Sequence, residues 1–274
     1  MKCGLPLACP RDGAILIGHG AKALVCAHGH IYPVFDGIPV LLRDDVGQTI
    51  GLANASLARA RNQPHVADSR NPDLFLESLG VSEAEKEMAV AIAREGGSID
   101  PVVSVIVGAT SGHAYKHLIG KLKTYPIPDL PLAPSAGETF LDVGCNWGRW
   151  CIAAARKGYR VVGIDPSLGA VMAARRVARQ LGLQIDYLVA DGRHLPFPDN
   201  SLDTIFSYSV LQHFDRADAL RAIGEVGRAL RPNGSCLVQM AHVLGVRSLY
   251  GQLRRGFRIK IGRASCRERV YVLV

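Results

Sequence analysis

From residue 138 onward, short apolar runs alternate with longer amphipathic stretches. The runs ETFLDVG (138–144), RVVGID (160–165), IDYLVAD (185–191), LDTIFSYSV (202–210) and SCLVQMA (235–241) are brief, β-branched or aromatic, and bounded by turn residues, which predicts strands. Between them, residues 147–157 form a helix stopped by Gly158, and Ser167 opens a second that runs through Ala173 and Val177 to Gly182. Asp215 caps a third, which ends at Arg231-Pro232-Asn233-Gly234. Strands that are apolar almost throughout, separated by helices, predict a parallel sheet covered on both faces, an α/β Rossmann-like domain over residues 136–260.

The pattern upstream differs. Residues 1–45 carry short alternating stretches between glycines, which reads as a small module of strands and knuckle-like turns. Residues 46–135 are a helical segment and a proline-rich linker. Ser82 and Glu85 form a capping box ahead of Met88, Val90, Ala91 and Ile92, and four prolines fall within residues 124–137, an extended connector. The helical segment is expected to form part of a cover on the substrate side of the sheet.

Composition changes this picture in two places. The chain is 48% hydrophobic and 20% charged, so a sizeable core can be buried. No apolar run approaches the roughly 18 residues of a membrane span, and the amino terminus lacks a secretory apolar region. Seven scattered cysteines read as free thiols in a reducing compartment, hence a cytoplasmic location. The formal charge is +8, but IGRASCRERV (261–270) reads as a translated sequencing-adapter oligonucleotide. On that reading, residues 261–274 are an artefact that packs against nothing, and the natural sheet is truncated after its fifth strand. Setting aside Arg263, Arg267, Arg269 and Glu268 leaves a diffuse +6, weak support for an RNA partner.

Candidate chemistry sits at the carboxyl ends of the strands, where open α/β sheets bind ligands. Gly144 and Gly148 let backbone approach a ligand at a strand-to-helix turn. Asp165 ends the second strand of the domain, where a carboxylate can accept both hydroxyls of a ribose. The turn Asp142-Val143-Gly144-Cys145-Asn146-Trp147-Gly148 is not G-x-G-x-x-G, which argues against a nicotinamide dinucleotide. Asp142 would repel a pyrophosphate and suits the ammonium of an amino-acid ligand, whereas Asp191 offers an acceptor to an adenine amino group. Cys145 reads as a small buried thiol rather than a nucleophile.

With these pieces in order, the stretch from Phe140 to about Ala241 resembles the class I S-adenosylmethionine-dependent methyltransferases of the small-substrate branch. The motifs VVGIDPS, VADGRHLPFPDNSLDTIFSYSVLQHF and LRPNGSCLVQ carry the resemblance. It implies that Asp142, Gly144 and Gly148 hold the methionine part of the donor, Asp165 the ribose and Asp191 the adenine. His213 is the candidate general base, or a neighbour that packs beside the cofactor, and Tyr208 lines the acceptor pocket or belongs to the core. The stretch lacks the Asn/Asp-Pro-Pro-Tyr arrangement of amino-nucleobase methyltransferases. The resemblance therefore implies methylation of a small molecule or of a saccharide or lipid intermediate. RNA methylation, or a non-catalytic module that binds the cofactor or a partner, are the alternatives.

The amino-terminal module has its own chemistry. Cys9 and Cys26-x-x-x-His30 have zinc-ligand spacing, and thiolates with imidazole suit tetrahedral Zn²⁺. The segment resembles the zinc ribbons that precede some ribosomal RNA guanine methyltransferases, and YPVFDGIPVLL (32–42) resembles the small Trm112-like domains. Asp12 stands where the second cysteine of a Cys-x-x-Cys knuckle belongs, with Cys3 or His28 as substitutes. Two readings stay open: a zinc site, or a metal-free ribbon held by its apolar strands.

Overall fold

A computed structural model describes residues 4–62, 73–110, 112–240 and 270–273. The amino-terminal module is a four-stranded antiparallel sheet, β1 (Ile17–His19), β2 (Ala23–Val25), β3 (Ile31–Phe35) and β4 (Ile38–Pro39), paired in chain order. Three helices follow: α1 (Gly51–Arg61), α2 (Glu83–Glu95) and α3 (Pro101–Thr110). The capping box that starts α2 is complete. The Glu85 amide donates to Ser82 Oγ at 3.3 Å and the Ser82 amide to Glu85 Oε2 at 2.8 Å.

The second sheet contains β5 (Thr139–Val143), β6 (Arg160–Asp165), β7 (Asp186–Val189), β8 (Leu202–Tyr208), β9 (Leu230–Met240) and β10 (Val270–Leu273). Its order is β10-β9-β8-β5-β6-β7, and every pairing is parallel except β9 with β10. The order reverses at β5: the chain first adds β6 and β7 on one side, then crosses to place β8 on the other. That crossing is the topological switch point, and it opens a crevice at the strands' carboxyl ends. Helices α4 (Arg149–Arg156), α5 (Leu168–Gln180) and α6 (Arg216–Ala229) connect the strands. The Rossmann-like expectation describes this sheet well.

Two differences from the sequence reading, and one feature it did not address, have physical reasons. The Arg231–Gly234 turn lies inside β9, because Leu230 already pairs with Leu202 before the register shifts and Ser235 pairs with Thr204. Asn233, at φ +66°, absorbs the excursion. The tail is corrected at its end: residues 261–269 lie outside the described residues, but Val270–Leu273 pairs with Met240–Leu237. The sheet therefore has a sixth strand, since β9 offers an edge of unpaired backbone groups that any strand-competent segment can satisfy. Finally, the amino-terminal module does not stand apart. Val40 bridges Val189 in parallel, and the Leu41 amide donates to the Val189 carbonyl at 2.7 Å, so the module docks on the β7 edge of the large sheet. Leu5, Leu7, Leu16 and Leu24 share one buried cluster with Leu141, Val162 and Phe197. Among the described residues no helix is long and apolar enough to cross a membrane.

Candidate functional site

The crevice at the switch point is a cavity of about 630 Å³. It is lined by the turn after β5 and the ends of β6, β7 and β8, together with Thr49 and Ile50 just before α1, Leu52 in its first turn, and Leu79. Residues 49–52 and Leu79 of the helical segment thus reach the cavity wall.

Asp165 is the polar group most clearly built for a ligand. It is buried at the end of β6 and lines the cavity. The Asn146 amide donates to one carboxylate oxygen and the Ser167 amide to the other, each at 2.9 Å. These bonds fix the carboxylate and leave each oxygen further acceptor capacity. Burial nevertheless dominates, pushing the group up to about 6, with the two backbone hydrogen bonds acting in the opposite direction.

The other residues singled out from sequence separate into those on the wall and those behind it. Gly144, Asp191, Tyr208 and His213 line the cavity with Asp165. Gly144 has φ +76°, and a Cβ there would lie 2.2 Å from Val210 Cγ2, so only glycine fits this turn. Asp142 and Gly148 do not line it. The Asp142 carboxylate is buried beneath the turn, where the Cys151 thiol donates to it at 3.3 Å. Burial pushes Asp142 up to about 7, against the smaller opposing effects of Cys151 and Arg149. Gly148 faces inward at φ +79°: a Cβ there would lie 2.5 Å from the Tyr187 hydroxyl and 3.2 Å from Ala174. The structure thus places Asp142 beneath the turn and Gly148 in its packed interior, next to the wall rather than on it. They shape the turn, one from beneath and one by close packing of α4 on its neighbours. The Cys145 thiol is buried and pushed up to about 11 by desolvation, the environment of an inert core thiol.

Asp191 is on the wall but already engaged. Arg193 donates to its carboxylate from the backbone amide at 2.9 Å, from Nε at 3.0 Å and from Nη2 at 2.6 Å. Three of about four acceptor positions are thereby used, which leaves one for a ligand. The same guanidinium reaches Asp218 of α6 at 3.1 Å and the Gly47 carbonyl at 2.8 Å, tying the cavity wall to the helix behind it and to the cover. Sequence reasoning missed Arg193, and also Arg149 and Trp150, which line the cavity. The Arg149 guanidinium lies 5.1 Å from the Tyr208 ring centre and 5.6 Å from that of Trp150. The only available signal was an Arg-Trp pair directly after the glycine turn.

In the amino-terminal module, Cys9, Cys26 and His30 converge, together with Asp12. Cys3 lies outside the described residues.

Residues 140–234 match the family described as methyltransferase domain. Over 104 residues the chain is 38% identical to methyltransferase GfsG of Streptomyces halstedii, covering 36% of this chain and 36% of that protein. Over 107 residues it is 30% identical to a ubiquinone biosynthesis O-methyltransferase of Azorhizobium caulinodans, covering 39% and 42%. An uncharacterized methyltransferase of Mycolicibacterium paratuberculosis is 34% identical over 136 residues, covering 49% and 50%. The chain spans half or less of each of these relatives. The matched stretch includes the cavity floor from β5 to the start of β9, and excludes the amino-terminal module and the helices of the cover.

Proposed function

We propose that this protein transfers a methyl group from S-adenosylmethionine to a small molecule, or to a saccharide or lipid intermediate. The observation that carries the reading is Asp165, a buried carboxylate pinned by two backbone amides at the switch point and open to a third and fourth donor. A ribose presents two adjacent hydroxyls to such a group. The remaining acceptor position of Asp191 meets the adenine amino group, and the turn at Gly144 runs along the methionine part. Arg149 contributes positive charge at that end, suited to an amino-acid carboxylate. The similarity of residues 140–234 to methyltransferase domains supports the same assignment.

When bound, the donor supplies an electrophilic methyl group on a sulfonium. The protein's own contribution is placement: the turn and Asp165 fix one reactant, and the Tyr208–Trp150 wall and the cover hold the other in line while excluding water. For an acceptor that must lose a proton, His213 is the wall residue suited to take it. The cavity of about 630 Å³, lined in part by Thr49, Ile50, Leu52 and Leu79, suits a donor with a small acceptor. The test is a methylation screen with isotopically labelled donor, comparing a metabolite extract with RNA from the same cells. Label in the small-molecule fraction, lost on His213→Ala when the acceptor carries a proton at neutral pH, is the expected result. Label confined to RNA, or donor binding without turnover on any fraction, would replace this reading.

A further inference from the structure

Independently of methyl transfer, we infer that Cys9, Asp12, Cys26 and His30 form a four-ligand zinc site, with Asp12 as a full ligand. The ligating atoms of these four residues all lie within 4.8 Å of one another. They come from two glycine-closed turns of different span, one of four residues' offset and one of three. In the first, the Gly13 amide donates to the Cys9 carbonyl at 2.8 Å with Gly13 at φ +75°. In the second, the Gly29 amide donates to the Cys26 carbonyl at 3.0 Å with Gly29 at φ +81°. Each turn thus brings two ligands to one point, Cys9 with Asp12 and Cys26 with His30.

Three of the six ligand–ligand edges already have tetrahedral length. With Zn–S about 2.3 Å and Zn–N or Zn–O about 2.0–2.1 Å, tetrahedral geometry puts unlike ligand atoms about 3.5 Å apart. Cys9 Sγ lies 3.5 Å and Cys26 Sγ 3.4 Å from His30 Nδ1, and Cys26 Sγ lies 3.5 Å from Asp12 Oδ2. The short edge is Asp12 Oδ2 to His30 Nδ1 at 2.9 Å, a hydrogen-bond length that widens by about 0.5 Å when both atoms face one cation. Asp12 is held for the role. The Ala14 amide donates to Oδ1 at 2.9 Å, which turns Oδ2 toward the sulfurs, and His28 Nδ1 sits 2.9 Å from that same oxygen as an outer partner. Both thiols are buried, at 2% and 4% exposure, so they are shielded from bulk reagents.

The position gives the metal a purpose. The module joins the large sheet through Leu41 and Val189, and the Ala8 amide donates to the Pro196 carbonyl at 3.0 Å. Residues 47–52 lead directly from it to the cover of the cavity. A cation that ties the two turns together fixes the base of that cover.

Metal analysis of the purified full chain, followed by cobalt(II) titration of metal-stripped protein, tests the site. One zinc per chain and a cobalt spectrum with tetrahedral d–d bands and a thiolate-to-cobalt charge-transfer band are expected. Competition against a chromophoric chelator should show Asp12→Ala weakening zinc by roughly 10–100-fold or more, since even outer partners of a ligand carry that much. Asp12→Cys should retain binding and strengthen the charge-transfer band. Absence of that band in protein shown to be folded by circular dichroism overturns the site. Unchanged affinity in Asp12→Ala overturns the role of Asp12. Recovery of Cys9 and Cys26 as a disulfide that only reductant opens overturns both.

Discussion

Replacing Asp165 by alanine should remove the anchor for the donor's ribose, and the size of the loss follows from the geometry. Each oxygen of this carboxylate accepts one backbone amide at 2.9 Å and faces the cavity with its remaining capacity. Hydrogen bonds to a charged group contribute about 1.5–3 kcal/mol each, so even one lost ribose contact lowers affinity roughly tenfold or more. The Asn146 and Ser167 amides also lose their acceptor, which loosens the turn and adds to the cost. Burial gives the experiment a second readout. With its titration pushed up to about 6, Asp165 is charged above that pH and must shed a proton below it before accepting two hydroxyls. Wild-type affinity for S-adenosylhomocysteine should therefore hold from pH 8 down to about 6, then fall by about 1.4 kcal/mol for each further pH unit. Asp165→Ala should bind weakly and lack this component of the pH dependence. Isothermal calorimetry at pH 8, 6 and 5, with NAD as the competing nucleotide, measures both effects. Equal affinity in the two proteins, the same pH profile in both, or tighter binding of NAD than of S-adenosylhomocysteine would refute the assignment.

Two other outcomes concern the turn itself. Asp142→Asn should stabilise the protein increasingly as pH rises. The native group is pushed up to about 7 by burial, well above the unfolded value near 4, so its contribution is fully present below pH 4 and fades as pH climbs through 7. Urea melts at pH 4.5 and 8 should differ by up to roughly 4 kcal/mol in the variant's relative stability, and a pH-independent difference would contradict the burial argument. Gly144→Ala should destabilise by at least about 1–2 kcal/mol from its left-handed φ alone. Its clash with Val210 adds to this, so in thermal melts Val210→Ala should recover the second contribution and leave the first.

Much of the large sheet could be read in advance because its strands are buried on both faces, so the apolar runs that define them are continuous in sequence. The same holds for the positions of the three acids, each set by the end of such a run. Their environments were not legible, because each is decided by a partner on another element. Asp142 is covered by Cys151 from α4, and Asp165 is pinned by amides of two separate turns. Asp191 is claimed by Arg193, whose guanidinium is oriented by Asp218 from α6 and by the Gly47 carbonyl. A strand-end carboxylate therefore announces a site without saying which face of the turn it occupies. The docking of the amino-terminal module was hidden for a related reason. Its contact with β7 is a backbone pairing at Leu41 and Val189, and edge pairing needs only exposed amides and carbonyls, which every residue but proline supplies in full. Side-chain pattern records what is buried, and it is silent on which edge the backbone chooses. The two turns that gather Cys9, Asp12, Cys26 and His30 lie between these extremes. Their spacing was readable, and the carboxylate that stood as a departure from the cysteine pattern proves to face the same centre as the other three.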